Sequence, residues 1–502
     1  MVLVVVDQLP QWSFEPKSKV VTDGIARLLR GGRQWVGRYP FATTATAPGH
    51  ASLSTGAPPA VSGIMNNEWY RPEVGKELGA ARGADGKPSS AWLEVDGLAD
   101  VLARQRPDAR AVAVALKDRS AILALGQTGL PLWYSADCAC FVTTGAAPAW
   151  LTQLAATRPI APRLRTPWTP DDPEKLAQLS GLQDDSPGEL AIPGWKSTFP
   201  HDFQAVSKPT QAAMVAPLGN QVVVEAALAA VEGERMGADD MADLLIVSFS
   251  AHDYIGHAFG QESWEAWDAW IKLDRQIGDL LRGLDEKVGP GKWAAVLTSD
   301  HGVAELPERR LARGEPGMRL AYEDVARVAD EAADAVVGQG DWIVAARYPN
   351  IILSEAGKKL PEARRAQVVD AIVGAVRAMK GIQRADRAAD FMGNCDQRHG
   401  DDRVICMALH PARSGEVFYA PAPGTVLHEA EEVDATMHGS LFAYDQDVPL
   451  ILMAPGVAPG RAGDPVSMLR VAPTLANLLR ITPPPAATES SLLPLSQTAG
   501  EP

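Results

Sequence analysis

Five short apolar runs, each followed by polar or charged residues or by glycine, constrain the fold of this chain more than any other feature. The runs are residues 2–6 (VLVVV), 111–116 (AVAVAL), 244–249 (LLIVSF), 293–298 (WAAVLT) and 449–454 (PLILMA). A continuous apolar run is typical of a strand that is buried on both faces of a parallel sheet. Helical patterns lie between the runs, at residues 21–30 and most clearly at 263–284. This alternation predicts an α/β fold with a doubly wound, mostly parallel central sheet and helices on both faces.

Two long stretches fit this alternation less well. Residues 131–235 are rich in proline, tryptophan and polar residues. Residues 305–435 begin with a basic segment, continue through Ala-rich helical patterns near 322–336 and 361–379, and end in Pro/Gly-rich sequence. We interpret both as loop-rich insertions that form a cap over the site, within a single α/β domain that spans residues 1–502.

The charge and the apolar segments limit the classes of function. The formal net charge is −15, which argues against a nucleic-acid scaffold role because phosphate backbones bind basic patches. It does not exclude small phosphorylated substrates.

No apolar run is long enough to span a bilayer. Residues 1–6 are too short for the apolar region of a signal peptide, so the chain shows no export signal, and either the protein is cytoplasmic or a signal lies upstream.

The four cysteines are Cys138, Cys140, Cys395 and Cys406. They are too few for a disulfide framework, and they lack zinc-ribbon spacing. Cys395 and Cys406 could pair across a loop in an oxidising compartment, and free thiols are the alternative. The sequence leaves both alternatives open.

Residues 39–70 combine a strand end, a threonine-rich turn and a helix start. Thr43, Thr44 and Thr46 precede Pro48 and Gly49, and proline suits the first turn of a helix because its missing N–H would have no partner there. A hydroxyl at this place faces free backbone N–H groups and the positive end of the helix dipole. Such a position can bind an oxyanion and carry an activated nucleophile. A plain capping turn is the alternative interpretation.

Residues with metal-ligand side chains follow several of the apolar runs. They are Asp7, Asp253 with His257, Asp300 with His301, and His438 in the sequence MHGS. The four-residue spacing of Asp253 and His257 places both side chains on one face of a helical turn. Since hard and borderline cations are bound by carboxylates and imidazoles gathered from several elements, the set predicts a metal site at the strand ends.

The order and spacing of these residues resemble the alkaline phosphatase superfamily, in the branch that uses threonine as its nucleophile. That branch includes type I phosphodiesterases, nucleotide pyrophosphatases and the often periplasmic Thr-type alkaline phosphatases. The resemblance implies two Zn²⁺ ions and a periplasmic or secreted location. One zinc would be held by Asp253, His257 and His438. The other would be held by Asp7, Asp300, His301 and Thr46, where Thr46 is chosen because it stands in register with Gly49 and His50.

The resemblance also assigns three phosphoryl-binding residues. Asn67 would donate to a phosphoryl oxygen, with its neighbour Asn66 as the alternative. Lys117 and Arg119 follow a predicted strand, and both could face the site if the chain stays extended, because alternate residues then share a face. In the Thr-type alkaline phosphatases such a Lys-x-Arg pair contacts the phosphoryl oxygens. Two fixed cations favour a phosphate monoester dianion over a diester.

The sequence therefore predicts a metal-dependent phosphate monoester hydrolase that acts on small phosphorylated substrates through a phosphothreonine intermediate. The main alternative is a phosphodiesterase or nucleotide pyrophosphatase with the same nucleophile and metals. A sulfatase or a serine-dependent mutase fits less well, since the chain lacks the sulfatase motif and offers threonine. A non-catalytic binding protein of the same fold is the alternative from another class. The oligomeric state is not predicted.

Overall fold

The computed structural model of the protein describes residues 1–431 and 433–494. The last residues of the predicted domain, 495–502, and residue 432 of the second predicted insertion lie outside the described residues. The strands are β1 (Val2–Val6), β2 (Arg33–Arg38), β3 (Glu68–Arg71), β4 (Lys76–Gly79), β5 (Ala111–Ala115), β6 (Leu130–Ser135), β7 (Cys140–Thr143), β8 (Leu244–Phe249), β9 (Ala295–Thr298), β10 (Met318–Ala321), β11 (Ile343–Ala345), β12 (Asn350–Leu353), β13 (Ile382–Arg387), β14 (Val417–Pro421), β15 (Thr425–His428), β16 (Asp447–Met453), β17 (Gly460–Arg461) and β18 (Val466–Ser467).

The helices cover both faces of the central sheet and fill the connections. They are α1 (Gln11–Lys17), α2 (Gly24–Gly31), α3 (Thr46–Thr55), α4 (Pro59–Ser62), α5 (Leu98–Gln105), α6 (Asp118–Leu125), α7 (Ala149–Thr157), α8 (Pro173–Ser180), α9 (Pro209–Ala212), α10 (Pro217–Gly233), α11 (Ala251–Phe259), α12 (Trp264–Lys287), α13 (Pro307–Ala312), α14 (Tyr322–Val337), α15 (Glu355–Lys358), α16 (Glu362–Arg377), α17 (Gly400–Ala408), α18 (Ala443–Gln446) and α19 (Val471–Leu479).

The central sheet is mostly parallel. Within the described residues it has ten strands in the order β17-β2-β16-β9-β1-β8-β5-β6-β7, with β18 paired to β2. Strands β9, β1, β8, β5 and β6 are parallel neighbours. Strand β16 runs antiparallel to both β2 and β9, and β7 runs antiparallel to β6. The predicted α/β fold class is confirmed.

Strand β1 shows why a continuous apolar run becomes a central strand. Alternate side chains of a strand point to opposite faces of the sheet. Leu3 and Val5 lie in the apolar core on one face, while Val2, Val4 and Val6 lie in the core on the other. All five are buried, so both faces are covered by helices and every position must be apolar.

The predicted boundaries of the first insertion, 131–235, are wrong at both ends. Its first residues form β6 and β7, which extend the central sheet beyond β5. Its last residues form α10, which packs against α12 and β8. Pro131 is the second residue of β6. A proline near the start of a strand removes few of the hydrogen bonds between strands, so it does not exclude a strand.

The second predicted insertion, 305–435, contains its own small sheets. Strands β11, β12, β14 and β13 form a four-stranded sheet, and β10 pairs with β15. The two Ala-rich patterns form α14 and α16, which pack against each other. This segment is therefore a compact layer of helices and strands rather than a set of loops.

All four cysteines are paired. One disulfide joins Cys138 and Cys140 in the β6–β7 hairpin. The other joins Cys395, which precedes α17, to Cys406 within α17.

No helix in the described part of the chain is by itself long and apolar enough to cross a membrane. Pro209–Val215 and Pro217–Gly233, which meet at a bend of 88°, satisfy length and composition only as a pair.

Candidate active site

Four neighbouring strands bring the predicted metal ligands together. In the sheet β5, β8, β1 and β9 lie side by side and parallel, so their carboxyl ends meet at one edge. Lys117 follows β5, Asp253 lies in the first turn of α11 after β8, Asp7 follows β1, and Asp300 follows β9. Residues far apart in the sequence thus converge where open α/β sheets bind their ligands.

Thr46 is the first residue of α3, as the threonine-proline turn predicts. The N–H of Ala47 is bonded to Asn67 Oδ1 at 2.8 Å, and Pro48 occupies the first turn, where its missing N–H costs nothing. A Cβ on Gly49 would lie 2.3 Å from the carbonyl oxygen of Asp300. Only glycine therefore lets the start of this helix approach the loop that carries Asp300.

The three threonine hydroxyls of the turn differ in what they contact. Thr44 Oγ1 donates to the carbonyl of Ser440, and Thr43 Oγ1 is buried without a hydrogen-bond partner. Thr46 Oγ1 lies 3.5 Å from His301 Nε2 and 3.3 Å from Lys117 Nζ. Of the three, Thr46 is the hydroxyl that faces the predicted metal ligands.

The three histidines of the site are oriented in the same way. The Nδ1 atoms of His257, His301 and His438 lie 2.9, 2.9 and 2.8 Å from the backbone carbonyls of Thr436, Gly302 and Thr44. Because a carbonyl only accepts, each Nδ1 carries a proton, and Nε2 is the ring nitrogen that can bind a metal. An outer hydrogen bond of this kind fixes the tautomer of a metal-binding imidazole.

The ligand atoms form two close groups that share one residue. The first group contains Asp253, His257 and His438, and the second contains Asp7, Asp253 and His301; in each group the ligand atoms lie within 4.8 Å of one another. Asp253 Oδ1 is 3.2 Å from His257 Nε2. Its other oxygen, Oδ2, faces Lys117 Nζ at 2.5 Å. The carboxylate of Asp253 thus lies between the two groups.

This sharing differs from the predicted assignment, which placed Asp253 in one group and Asp300 in the other. Asp300 Oδ2 lies 3.6 Å from His301 Nε2 and 3.2 Å from His50 Nδ1. It therefore borders the second group, where His50 also contacts it. His50 Nδ1 lies 2.9 Å from the carbonyl of Thr46 as well, so His50 ties the start of α3 to the site.

The residues present fit a metal. Asp7 and Asp300 are fully buried, and within residues 1–431 and 433–494 no donor forms a hydrogen bond with either oxygen of Asp7 or with Oδ2 of Asp300. Buried carboxylates without donors are costly unless a cation balances them. The free Nε2 atoms of the three histidines complete a mixed oxygen and nitrogen donor set, which suits transition metals.

Lys117 lies deeper in the site than predicted. Its Nζ is 2.8 Å from Asp7 Oδ2, at ion-pair distance but outside hydrogen-bond geometry, and 2.5 Å from Asp253 Oδ2. Burial would lower the pKa of Lys117, but Asp253 and Asp7 raise it above its ordinary value. Burial would likewise raise the pKa of Asp253, but Lys117, His257 and His438 lower it well below its ordinary value. Both groups therefore carry their charges.

The predicted extended geometry of the Lys-x-Arg pair is wrong, because α6 begins at Asp118 directly after Lys117. Arg119 lies in the first turn of this helix and lines the cavity described below. Its Nε has no hydrogen-bond partner in the described residues. A half-buried guanidinium without a partner at its Nε is available to bind an anion.

The two asparagines of the turn after α4 have separate roles. Asn66 Nδ2 donates to the carbonyl of Tyr348 at 2.7 Å, and Asn66 Oδ1 accepts from the N–H of Asn67. Asn67 uses only its Oδ1, on Ala47, so its Nδ2 remains as a donor at the cavity. Asn67 rather than Asn66 is thus placed to bind a ligand.

A cavity of about 560 Å³ opens over Thr46, Asn67 and Arg119. One wall comes from the second predicted insertion. Lining residues that the sequence did not point to are Arg82, Asp118, Tyr254, Tyr322, Arg347, Tyr348, Glu429 and Asp434. None of the lining residues comes from 131–235, so the predicted cap is formed by the second insertion and not by the first. The sequence does contain a signal for Asp434, because this carboxylate lies four residues before the predicted metal ligand His438.

The fold and this site together define a hydrolase of the alkaline phosphatase superfamily. The chain belongs to the type I phosphodiesterase / nucleotide pyrophosphatase family, whose model matches residues 1–441. The sequence predicts a phosphoric monoester hydrolase, and the family confirms that the protein is a phosphoric ester hydrolase.

Several relatives match almost the whole chain. It is 27% identical to alkaline phosphatase PafA of Elizabethkingia meningoseptica, over 96% of this chain and 92% of the relative. It is also 27% identical to alkaline phosphatase PhoV of Synechococcus elongatus, over 96% and 90%. The crystal structure of wild-type PafA matches with a TM-score of 0.89 at 26% identity, over 98% of each chain. These alkaline phosphatase relatives imply that the site is metal-dependent.

A more distant structure shares the fold alone. Murine ectonucleotide pyrophosphatase / phosphodiesterase 5 matches with a TM-score of 0.57 at 14% identity, over 96% of this chain and 95% of that one. The same central fold is thus found in proteins that carry the names of both phosphatases and phosphodiesterases.

The shared position of Asp253 gives a test of the two ligand groups. Asp253→Asn is expected to weaken metal binding at both groups, whereas His257→Asn weakens it at one, because only Asp253 belongs to both. Loss of a hydrogen-bond partner of a metal ligand already lowers metal affinity by about 10–100-fold. Loss of a ligand itself should therefore lower metal affinity by more than roughly 100-fold. Metal analysis after dialysis against a chelator measures this. Equal metal loss in the two variants would contradict the sharing.

Proposed function

We propose that the protein is a phosphate monoester hydrolase that works through a phosphothreonine at Thr46 and holds two zinc ions. The observation that carries the proposal is the Thr46 hydroxyl at the start of α3, 3.5 Å from His301 Nε2 and 3.3 Å from Lys117 Nζ. The alkaline phosphatases among the relatives support the monoester assignment.

Asp253, His257 and His438 would hold one zinc. Asp7 and His301, with Asp300 and Asp253 beside them, would hold the other. Mixed imidazole and carboxylate sites suit zinc, and the predicted preference over manganese rests on the imidazoles. Two such ions supply Lewis acidity, which lowers the pKa of a hydroxyl and balances charge on the attacking and leaving oxygens.

Thr46 acts as the nucleophile on phosphorus. Its Oγ1 loses its proton and forms a bond to phosphorus as the bond from phosphorus to the leaving oxygen breaks, and the departing alkoxide takes up one proton to become the alcohol. Water then cleaves the phosphothreonine and releases inorganic phosphate. The N-terminus of α3 and its dipole favour the negative charge that collects beside Thr46 during both steps.

Three side chains hold the phosphoryl group in this scheme. Asn67 donates its Nδ2 while its Oδ1 stays fixed on the N–H of Ala47. Lys117 keeps its ammonium 3.3 Å from Thr46 Oγ1, where it stabilises the negative charge that develops on this oxygen. Arg119 reaches the cavity with a guanidinium that can bind two oxygens at once.

A phosphodiesterase is the second candidate, because the family model that matches the chain carries that name. The two functions need the same nucleophile and metals. They differ at one phosphoryl oxygen, which is free and charged in a monoester but esterified in a diester. Arg119 supports the monoester because a cation at the cavity stabilises the extra charge.

Removal of the nucleophile tests the phosphothreonine. Thr46→Ala is expected to abolish the phosphoenzyme and to lower turnover by roughly 1000-fold or more, since no other hydroxyl of the turn faces the ligands. Thr43→Ala is the matched control, because Thr43 also lines the cavity. Mass spectrometry after an acid quench measures the phosphoenzyme. A wild-type level of phosphoenzyme in Thr46→Ala would show that Thr46 is the wrong residue.

Removal of Arg119 tests the substrate class. Loss of a charged hydrogen bond in a closed site costs about 2–4 kcal/mol, so Arg119→Ala should lower kcat/KM for an aryl phosphate monoester by roughly 30- to 1000-fold. The matching diester should lose much less, because it offers less charge. Arg82→Ala is the control in the same cavity, since Arg82 is already paired with Asp118 at 2.7 Å. Equal losses on both substrates would favour the phosphodiesterase.

We also propose that the protein works in the periplasm or outside the cell. Two disulfides support this, because disulfides persist in oxidising compartments. Alkylation of protein taken from its own cells, followed by mass spectrometry, should find both pairs oxidised. Four free thiols in freshly quenched protein would contradict this location.

A further inference from the structure

A chain of buried polar side chains leads from Lys17 to the shared carboxylate of the site. Lys17 Nζ donates to Gln261 Oε1 at 2.9 Å. Gln261 Nε2 donates to Gln8 Oε1 at 2.9 Å, and Gln8 Nε2 donates to Asp253 Oδ1 at 3.0 Å. We call these four residues the relay. All are at most 3% exposed, so water does not compete for their hydrogen bonds.

The two ends of the relay fix the direction of every hydrogen bond in it. An ionised carboxylate only accepts, so Gln8 must turn its Nε2 toward Asp253 and its Oε1 toward Gln261. Gln261 must then present its Nε2 to Gln8 and its Oε1 to the far end. That end needs a donor, and a lysine ammonium only donates. Lys17 is thus the residue type that lets all three bonds form together.

Gln8 also connects the two ligand groups through its backbone. Its N–H donates to Asp300 Oδ1 at 3.2 Å while its side chain holds Asp253. To do both, Gln8 adopts a left-handed backbone with φ of 60°, which is unfavourable for a residue other than glycine. Such strain persists where the surrounding structure demands it, and it is most frequent at functional sites.

Gly256 of α11 provides the space for the relay. A Cβ at this position would lie 1.8 Å from Gln8 Oε1 and 2.6 Å from Gln261 Nε2. Glycine inside a helix is destabilising relative to alanine. Here it allows the two amides to meet directly behind the helix turn that carries Asp253 and His257.

Burial of Lys17 is not explained by stability. Its side chain is fully buried, and burial lowers its pKa to about 7 despite the attraction of Glu262. Its Nζ also lies 5.9 Å from the ring centroids of Trp267 and Trp270. A buried amine is expensive to keep, and no step of the proposed reaction uses it.

We propose that Gln8 is a positioning residue for Asp253 and that Lys17 and Gln261 act through it by fixing the direction of the relay. This inference rests on the metal-binding function proposed above. The side-chain Nε2 of Gln8 holds Asp253 Oδ1 at a fixed place between the two ligand groups and leaves the second lone pair of this oxygen for a metal. Outer hydrogen bonds of this kind raise metal affinity by about 10–100-fold.

Two substitutions of Gln261 separate this role from a merely structural one. Gln261→Glu keeps the shape and forms an ion pair with Lys17, but its acceptor-only carboxylate forces Gln8 to turn its Oε1 toward Asp253. Gln261→Met removes the bond without forcing that turn. The inference therefore expects Gln261→Glu to release zinc more easily than Gln261→Met, by about 10-fold or more. A purely structural role expects the opposite order, since the Glu variant conserves more contacts.

The measurement is the concentration of a chromophoric chelator that removes half of the zinc from each holoenzyme. Gln8→Met should shift it downward by about 10–100-fold. Gln276→Met is the matched control, because Gln276 is also a buried glutamine but donates to the carbonyl of Pro217 away from the site. Thermal unfolding of each metal-free protein is measured in parallel, so that zinc affinities are compared among folded variants.

The outcomes are distinct. Wild-type protein that binds no metal would overturn the proposed function and the relay with it. Wild-type protein that binds zinc, with Gln8→Met and Gln261→Glu retaining it as well as Gln276→Met, would overturn the relay alone. If Gln8→Met does not fold, the order of the two Gln261 variants still decides.

Discussion

The requirement to balance three buried carboxylates governs the rest of the site. Asp7, Asp253 and Asp300 are each at most 2% exposed, and a buried charge left without its partner costs about 3–5 kcal/mol. Lys117 approaches two of them at 2.8 and 2.5 Å. The third receives the N–H of Gln8. No donor among the described residues forms a hydrogen bond with either oxygen of Asp7, so the strand ends that assemble the site also leave this carboxylate available to a metal.

Most of the central sheet could be predicted because its strands are buried on both faces. The apolar runs at 2–6, 111–116, 244–249 and 293–298 become adjacent parallel strands, since only apolar side chains fit there. Strands β6 and β7 were missed, because Pro131 and the polar residues of the hairpin suggest a loop. They lie at the end of the sheet, where a polar side chain can reach water and the sequence signal is weak.

The site residues that could be predicted are those whose position follows from their own strand. Asp7 and Asp300 stand directly after β1 and β9, so the carboxyl ends of these strands locate them. The division of the ligands into two groups could not be predicted from the sequence, because it depends on how the Asp253 carboxylate is oriented between His257 and Lys117. Gln8 was missed for a similar reason. An amide next to a ligand has no distinctive pattern, and its partner Asp253 lies 245 residues away in the chain.

Lys117 and Arg119 illustrate how the backbone separates two cations that stand almost side by side in the sequence. Lys117 has an extended backbone just before α6, which directs its ammonium down to Asp7 and Asp253, where its charge is used to balance theirs. Arg119 lies in the first turn of α6 and lines the cavity. A phosphate monoester brings a second negative charge that diesters lack, and Lys117 is already engaged. The fold serves both substrate classes, so in the function proposed above the choice between them depends on Arg119, whose Nε has no hydrogen-bond partner among the described residues.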